Sequence, residues 1–367
     1  MTRRDARKKK LRERVKPRFR DELRAVLDSM LEGVIAVDSE QRVTHVNEGA
    51  RLLLHTSASG AVGATLRTLV DEAAVRGPVA RVLAGGPAET SLVRRRRGLR
   101  EEIIRVRTAP LMGKRARLAG AVIVLEDISE LERLNTVRQE FISNASHELK
   151  TPVTAILGMI ETLVDAPDLE PEMHQSFLTR IRDQARRLRA LIDDLLTLSR
   201  LDSPDAPFAC EPVDLAEPVR EAFEAVAPVA LTKSIALRGN WPKVPLIVEA
   251  DREGLRQAAS NLIENAVKYT QAGGRVEVRV LGVFDHAGRP RATLEVEDNG
   301  IGIAPADQER VFERFYRVDR GRSRDAGGTG LGLAIVKHIA RATGGTIGLQ
   351  SAPGRGSCFR LSWPRRP

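Results

Sequence analysis

Two stretches in the middle of the chain repeat apolar residues at every third or fourth position, the spacing of one helix face. Between them, residues 165–171 contain two prolines that stop the pattern. The apolar positions are Val137, Phe141, Ala145, Leu149, Val153, Ile156, Ile160 and Leu163 in the first stretch, and Leu178, Ile181, Ala185, Leu188, Ile192 and Leu195 in the second. We predict a helical hairpin over residues 129–203. Because one hairpin cannot cover both stripes, we expect a homodimer that closes them into a four-helix bundle.

The N-terminal part, residues 21–128, mixes short strand and helix signals. We predict a short amphipathic helix, strands at Gly33–Asp38 and 42–46, a helix from the N-cap Asn47 through Leu54, and strands at 89–95, 101–108 and 118–126. This order resembles a PAS domain, an α/β sensor fold. The matching residues are Asp38, Asn47 and the closing Asp127-Ile128-Ser129.

The C-terminal part, residues 213–367, alternates helix and strand signals and follows a proline-rich stretch, residues 204–212, that is typical of a linker. Predicted helices cover 214–227, 251–269, 305–312 and 330–343, and predicted strands cover 235–238, 246–249, 275–284, 291–297, 346–350 and 357–362. This pattern predicts an α/β sandwich. The whole chain is therefore expected to be a multi-domain α+β protein.

The positive charge of the chain is concentrated at its N-terminus. The first 20 residues hold eleven Lys/Arg and two Asp/Glu, which is nine of the net ten positive charges. A basic tail of this kind is usually solvated, and an anionic membrane surface is the next interpretation. Nucleic acid comes third, since no base-reading element accompanies the tail, and we expect no direct nucleic-acid contact.

Cysteine content and hydropathy indicate the compartment. Cys210 and Cys358 are far apart and lack metal-ligand spacing, so we expect neither a disulfide framework nor a zinc site. No run approaches the roughly 18 apolar residues of a membrane helix. The sequence therefore predicts a cytoplasmic protein, with attachment of the basic tail to the inner face of the membrane as the alternative.

A polar string interrupts the first long helix around a histidine. His147 lies on the side opposite the apolar stripe, so it should face water. Residues 141–152 resemble the H-box of histidine kinases, in which the histidine accepts a phosphoryl group. The resemblance implies that Glu148 takes the ring proton and that Thr151 places a water for dephosphorylating a partner. Pro152 should kink the helix beyond the site.

A second polar string, residues 261–269, puts Asn261, Asn265 and Lys268 on one helix face. Asparagines without matching charges are an unusual solvent face, and amide oxygens suit Mg²⁺. The string resembles the N-box of the same kinases. That resemblance makes Asn265 a magnesium ligand, Asn261 its polar neighbour, Lys268 a phosphate contact and Tyr269 a cover for the nucleotide.

Two glycine-containing segments follow. Asp298, Gly300 and Gly302 come after a predicted strand and resemble the first glycine box, in which the aspartate binds the adenine amino group. Residues 327–334 open a predicted helix and resemble the second glycine box, where backbone amides meet phosphate. The loop residues assigned to the nucleotide are Thr329, Gly330, Leu331 and Gly332.

Residues 312–317 resemble the F-box of the family. Arg314 and Arg317 are both candidates for the γ-phosphate, because a guanidinium can bond two phosphate oxygens at once, and the sequence does not choose between them. The charged, aperiodic residues 318–326 are predicted to form a lid that excludes water during transfer.

The five motifs stand in the order of sensor histidine kinases of two-component systems, and the chain most resembles their phosphate-regulon type. It differs from that type in lacking N-terminal membrane helices, which argues against an extracellular sensing role. The resemblance implies PAS, HisKA and GHKL-like HATPase domains. It also implies ATP and Mg²⁺ as cofactors, autophosphorylation of His147, transfer to an aspartate of a response regulator, and dephosphorylation of that regulator.

Three other functions are compatible with parts of the sequence. A chaperone or topoisomerase ATPase shares the nucleotide fold but not the His147 hairpin. A non-enzymatic scaffold would lack one of the motifs, and none is missing. A DNA-binding regulator is suggested only by the basic tail.

Overall fold

The computed structural model describes residues 22, 24–55, 61–70, 72–97, 100–113, 117–166, 169–201, 210–318 and 328–365. It divides into two compact units, Met1–Gln139 and Glu140–Pro367, and we describe each by itself. The predicted basic tail, and most of the predicted linker and lid, lie outside the described residues.

The first unit is built on one antiparallel sheet with the strand order β2-β1-β5-β4-β3. Its strands are β1 Gly33–Asp38, β2 Val43–Val46, β3 Glu89–Arg97, β4 Arg100–Met112 and β5 Leu118–Asp127. Its helices are α1 Glu48–Leu54, α2 Leu66–Leu69 and α3 Ala73–Leu83, and residues 24–28 form a further helical turn. The five predicted strands and the predicted first helix after β2 are confirmed.

A buried asparagine in the first unit forms hydrogen bonds with four backbone groups. Asn47 is fully buried, and its Oδ1 accepts hydrogen bonds from the backbone amides of Val34 at 2.7 Å and Ala50 at 2.9 Å. Its Nδ2 donates to the carbonyl oxygens of Leu27 at 2.8 Å and Glu32 at 2.9 Å. An unpaired buried amide would be costly, so these four bonds explain why a polar residue is tolerated here. The predicted N-cap is therefore confirmed.

Two long helices, α4 Ser129–Asp165 and α5 Pro171–Leu201, follow β5. Helix α4 continues through Pro152, which is buried. Apolar residues of the predicted stripes remain between 41% and 44% exposed, namely Val153, Ile160, Leu178 and Ile192. The single chain thus leaves apolar surface along both helices. None of the helices in the described ranges is long and apolar enough to cross a membrane.

The C-terminal part of the second unit is an α/β sandwich. Its main sheet has the order β11-β12-β10-β9-β7, antiparallel except for the β7–β9 pair, and β6 pairs with β8 in a small second sheet. The strands are β6 Glu211–Asp214, β7 Ala236–Asn240, β8 Ile247–Ala250, β9 Arg275–Phe284, β10 Pro290–Asp298, β11 Thr346–Ala352 and β12 Gly356–Pro364. The helices are α6 Ala216–Thr232, α7 Arg252–Tyr269 and α8 Gly332–Ala342. The predicted fold class is confirmed.

The core of the sandwich extends to α5. Leu191 is 3% exposed and Leu198 is fully buried, and both belong to the same apolar cluster as Leu262 of α7 and Ile335 of α8. The apolar stripe predicted for α5 contains neither leucine. A second face of this helix is therefore buried against the sandwich.

One predicted boundary and one predicted helix in the C-terminal part were wrong. The linker was extended through Pro212, but Glu211–Asp214 is strand β6, since its residues pair with β8. Residues 305–312 were predicted as a helix but form turns and a short 3₁₀ segment, Arg310–Phe312. Here the Gln308 side chain donates to the carbonyl oxygens of Ile303 and Ser351, at 3.1 and 2.8 Å, and this tether holds the segment in a turn.

Candidate active site

His147 lies on α4 with its side chain exposed, as its position opposite the apolar stripe predicts. The neighbouring Glu148 is half-buried, and its Oε2 is 3.7 Å from Nη2 of Arg187 on α5. The hydroxyl of Thr151, one turn further on, donates to the His147 carbonyl oxygen at 3.1 Å. The helix thus presents an imidazole to solvent with a carboxylate and a hydroxyl beside it.

Helix α7 carries the second group of predicted residues. It begins after the N-cap Asp251, whose Oδ2 accepts the Gly254 amide at 2.7 Å. One face of the helix is buried in the core through Leu262, Ile263, Ala266 and Val267. Asn261, Asn265 and Lys268 lie on the other, partly exposed side. The 3.6-residue periodicity alone explains this division into an apolar and a polar face.

The polar face of α7 meets the glycine loop that precedes α8. Nδ2 of Asn261 is 3.4 Å from the carbonyl oxygen of Gly332, the first residue of α8. The hydroxyl of Thr329 accepts the Leu331 amide at 3.2 Å. The loop therefore stands at a helix N-terminus, where backbone amides favour anionic ligands.

Lys268 is surrounded mainly by positive charge. Partial burial, followed by the charges of Arg317, Arg187 and Lys233, lowers its pKa from 10.5 to about 8, against a raising contribution from Glu264. Its ammonium lies 5.1 Å from the centre of the Tyr269 ring. A site with an excess of cations is prepared for an anion such as a phosphate.

Asp298 lies at the end of β10 and is only 8% exposed. Its Oδ1 accepts the Gly300 amide at 2.8 Å. Burial raises the pKa of Asp298, and the backbone amides of Gly300 and Ser357 partly offset that rise. The carboxyl group is thus held in one orientation at the end of a strand, as binding to a defined ligand atom requires.

At two positions of the site, the backbone conformation and the close approach of neighbouring backbone atoms require glycine. Gly302 has a φ of 69°, and an added Cβ would lie 1.9 Å from the carbonyl oxygen of Ala352. Gly330 has a φ of 74°, and its Cβ would lie 3.0 Å from the backbone of Phe315. The Phe315 amide also donates to the Gly330 carbonyl oxygen at 2.9 Å. The F-box and the second glycine box are therefore joined by their main chains.

The two F-box arginines occupy different surroundings. Arg314 lies 5.2 Å from the centre of the Phe141 ring on α4, and its Nη2 is 3.3 Å from Nε2 of His338. Arg317 instead acts on two residues of α7: its charge adds to the lowering of the Lys268 pKa by burial, and it partly offsets the rise that burial causes in the pKa of Tyr269. Arg317 is thus the arginine beside the predicted phosphate contacts.

Three side chains near these residues were not found from the sequence. The Thr329 hydroxyl donates to Oδ2 of Asp194 on α5 at 2.8 Å. Glu264 lies close to Asp194 and Lys268, and partial burial followed by the Asp194 charge raises its pKa. Arg187 pairs with Glu148 and also acts on Lys268. For Arg187 and Asp194 the sequence signal is that Arg187, Leu191, Asp194 and Leu198 recur at helical spacing, and Glu264 has no comparable signal.

The residues present fit a magnesium ion bound together with phosphate. Asn265 is partly exposed on the polar face of α7, and within the described residues its amide makes no hydrogen bond. Over the same part of the chain, no group of three or more His, Cys, Asp or Glu could hold a metal ion. The Asn265 amide oxygen could supply one ligand to a cation that also binds phosphate oxygens and water, a ligand set that Mg²⁺ accepts.

Fold and site together define an α/β sandwich joined to a helical hairpin with an exposed histidine. Three family models match the chain in this order: "PAS fold" at residues 27–133, "His Kinase A (phospho-acceptor) domain" at 137–204, and "Histidine kinase-, DNA gyrase B-, and HSP90-like ATPase" at 250–367. The class is that of proteins combining a phosphoacceptor hairpin with this ATPase fold.

Curated relatives extend the match over nearly the whole chain. The sensor-like histidine kinase SenX3 of Mycobacterium bovis is 36% identical over 346 residues, covering 93% of this chain and 80% of SenX3. The sensor histidine kinase WalK of Bacillus subtilis is 31% identical over 355 residues, covering 94% of this chain and 55% of WalK. The chain thus spans little more than half the length of that relative. The chain belongs to the sensor histidine kinases.

A solved structure supports the fold. The histidine kinase ThkA, crystallised in complex with the response regulator protein TrrA, matches with a TM-score of 0.51 at 22% identity. The match covers 94% of this chain and 98% of ThkA. At this identity the likeness concerns the fold alone.

Proposed function

We propose that this chain is an ATP-dependent protein-histidine kinase. It phosphorylates its own His147, passes the phosphoryl group to an aspartate of a response regulator, and also dephosphorylates that regulator. The observation that carries the proposal is an exposed histidine on a helix whose flanking residues, Phe141 and Leu149, pack against the core of the nucleotide-binding sandwich.

The polar face of α7 and the glycine loop bind the nucleotide in this proposal. Asp298 binds the adenine amino group, and Tyr269 covers the base. Lys268 and Arg317 bind the phosphates, because both lie in the cationic part of the site. Of the two F-box arginines we assign the phosphates to Arg317, because its charge acts on Lys268 and Tyr269.

The finer assignment of Mg²⁺ rests on Asn265. Its amide oxygen is the residue-supplied ligand, and Asn261 is the polar neighbour that holds the start of α8 beside it. Bound Mg²⁺ would neutralise phosphate charge and orient the phosphates. The backbone amides of Gly330, Leu331 and Gly332 donate hydrogen bonds to the phosphate oxygens.

In the transfer, a ring nitrogen of His147 attacks the γ-phosphorus in line. The bond from phosphorus to the β,γ-bridging oxygen breaks, and ADP leaves with the bonding electrons. The proton of the other ring nitrogen passes to the Glu148 carboxylate. Arg187, 3.7 Å from Glu148, holds that carboxylate in place.

Dephosphorylation of the regulator uses the turn after His147. In the structure the Thr151 hydroxyl donates to the His147 carbonyl oxygen, so it is already anchored on the exposed side of α4. Released from that bond by rotation about χ1, it can hold a water against the aspartyl phosphate of the partner. ThkA, which shares the fold, was crystallised with a response regulator.

The remaining assignments concern assembly and location. The apolar residues exposed along α4 and α5 support a homodimer closed as a four-helix bundle. We assign residues 21–128 to a sensor domain, 129–203 to the hairpin and 213–367 to the catalytic domain, with β6 shifting the last boundary to Glu211. For the basic residues 1–20, contact with an anionic membrane surface remains the alternative to a solvated tail.

Labelling with [γ-³²P]ATP tests the proposal. The wild-type chain should become labelled, and His147→Gln should bind nucleotide with unchanged affinity but remain unlabelled. His174→Gln is the matched control, since His174 is an exposed histidine on α5, and it should label like the wild type. Full labelling of His147→Gln would exclude His147 as the acceptor.

A further inference from the structure

A carboxylate of the helical hairpin lies against the glycine loop of the nucleotide site. The Thr329 hydroxyl donates to Oδ2 of Asp194 at 2.8 Å and accepts the Leu331 amide at 3.2 Å. Thr329 directly precedes Gly330, in the loop that the proposed function assigns to the phosphates. An acidic residue of α5 therefore lies directly beside a predicted anion-binding site.

The position of Asp194 is fixed by packing. Leu191 and Leu198, one turn to either side on α5, are 3% and 0% exposed and belong to the core of the sandwich. Thr197 adds a weak bond, with its hydroxyl 3.4 Å from Nε2 of Gln257 on α7. A side chain between two buried leucines has little freedom, so the carboxylate is directed at the loop whenever α5 is docked.

The charge around Asp194 opposes a second anion. Burial raises the pKa of Asp194, the hydrogen bond from Thr329 lowers it, and the adjacent Asp193 raises it again. The Asp194 carboxylate thus places negative charge directly beside Thr329, and Asp193 is its neighbour in the chain. The phosphates of a nucleotide would add further negative charge within the same partly buried space.

We propose that Asp194 competes with a nucleotide phosphate for the glycine loop, so that docking of α5 and nucleotide binding oppose each other. The inference rests on the proposed nucleotide site and adds a coupling to it. Because linkage is reciprocal, bound nucleotide weakens docking by the same factor by which docking weakens nucleotide binding. Nucleotide would thereby loosen the sandwich from α5.

Calorimetric titration of the full chain with AMPPNP and Mg²⁺ tests the coupling. Asp194→Asn and Asp194→Ala should bind about fivefold more tightly or better than the wild type, the lower end of typical coupling factors. Asp193→Asn is the matched control, because Asp193 is exposed and carries the same charge, and its affinity should stay unchanged. Equal or weaker binding by both Asp194 variants would overturn the inference.

Hydrogen exchange on the wild-type chain gives an answer that does not depend on how the variants fold. AMPPNP should increase exchange of the α5 amides around Leu191 and Leu198, which docking protects. Unchanged or slower exchange there, with nucleotide bound, would contradict the coupling alone. Absence of any nucleotide binding by the wild type would instead overturn the proposed function, and the inference with it.

Discussion

The lowered pKa of Lys268 follows from its partial burial and from the positive charges around it. Partial burial and the cations Arg317, Arg187 and Lys233 lower its pKa from 10.5 to about 8, against one raising contribution from Glu264. At about 1.4 kcal/mol per pKa unit, the shift corresponds to about 3.5 kcal/mol before solvent screening, and because Lys268 is only partly buried the cost of holding its ammonium is smaller than this. A bound phosphate supplies the missing negative charge and removes this cost.

The sign of the pH dependence follows from the lowered pKa. Between pH 8 and 10.5 the folded chain binds fewer protons at Lys268 than the unfolded chain, so its stability rises with pH over this range. The destabilisation of the folded state by the charged Lys268 is therefore complete below pH 8 and is lost as the pH rises to 10.5. Nucleotide binding behaves in the opposite way, because it needs the protonated amine. From pH 7 to pH 9 the dissociation constant of the nucleotide should rise about tenfold.

Calorimetry with ADP and Mg²⁺ at pH 7, 8 and 9 measures this rise. Lys268→Arg keeps its charge throughout, so its affinity should stay level over the same range. Lys268→Gln should bind weakly at every pH. If the wild type and Lys268→Arg lose affinity in parallel, the titrating group is not Lys268 and the reasoning fails.

Three further predictions concern the site and its support. Asn265→Ala should abolish autophosphorylation while leaving the dimer folded, and unchanged labelling would exclude its metal role. Thr151→Ala should label normally but dephosphorylate the response regulator more slowly, so equal phosphatase rates would refute its assignment. Gly302→Ala should lower the free energy of unfolding by about 2 kcal/mol or more, because its φ is 69° and its Cβ would lie 1.9 Å from the Ala352 carbonyl oxygen. Gly348→Ala, which meets nothing within 4 Å, is the control and should unfold at an almost unchanged denaturant concentration.

Local patterns were sufficient for much of the fold. The apolar face of α7 and its N-cap Asp251 can be read from the sequence, since both depend on residues within a few positions. The same holds for Asn47, whose capping bond to Ala50 is local, although its bonds to Leu27 and Glu32 are not. The polar groups of α7 were predictable for the same reason.

Features that depend on distant partners were missed. Strand β6 contains only four residues and is defined by its pairing with β8, which no local pattern reveals. The turn at residues 305–312 is held by a hydrogen bond from the Gln308 side chain to the carbonyl oxygen of Ser351 in strand β11. In the sequence, nothing distinguishes Asp194 from an exposed helix carboxylate. Its hydrogen bond from Thr329 is visible only once α5 is packed against the loop. Tertiary contacts therefore decide these positions.

The central claim is that His147 receives the γ-phosphoryl group of ATP. Its most direct measurement is to incubate the chain with [γ-³²P]ATP and Mg²⁺, test the label in acid and in base, and map it by proteolysis. We predict a label that acid removes and base preserves, on the peptide that contains His147, and none from [α-³²P]ATP. An acid-stable label, a label on another peptide, or no label at all would contradict the account.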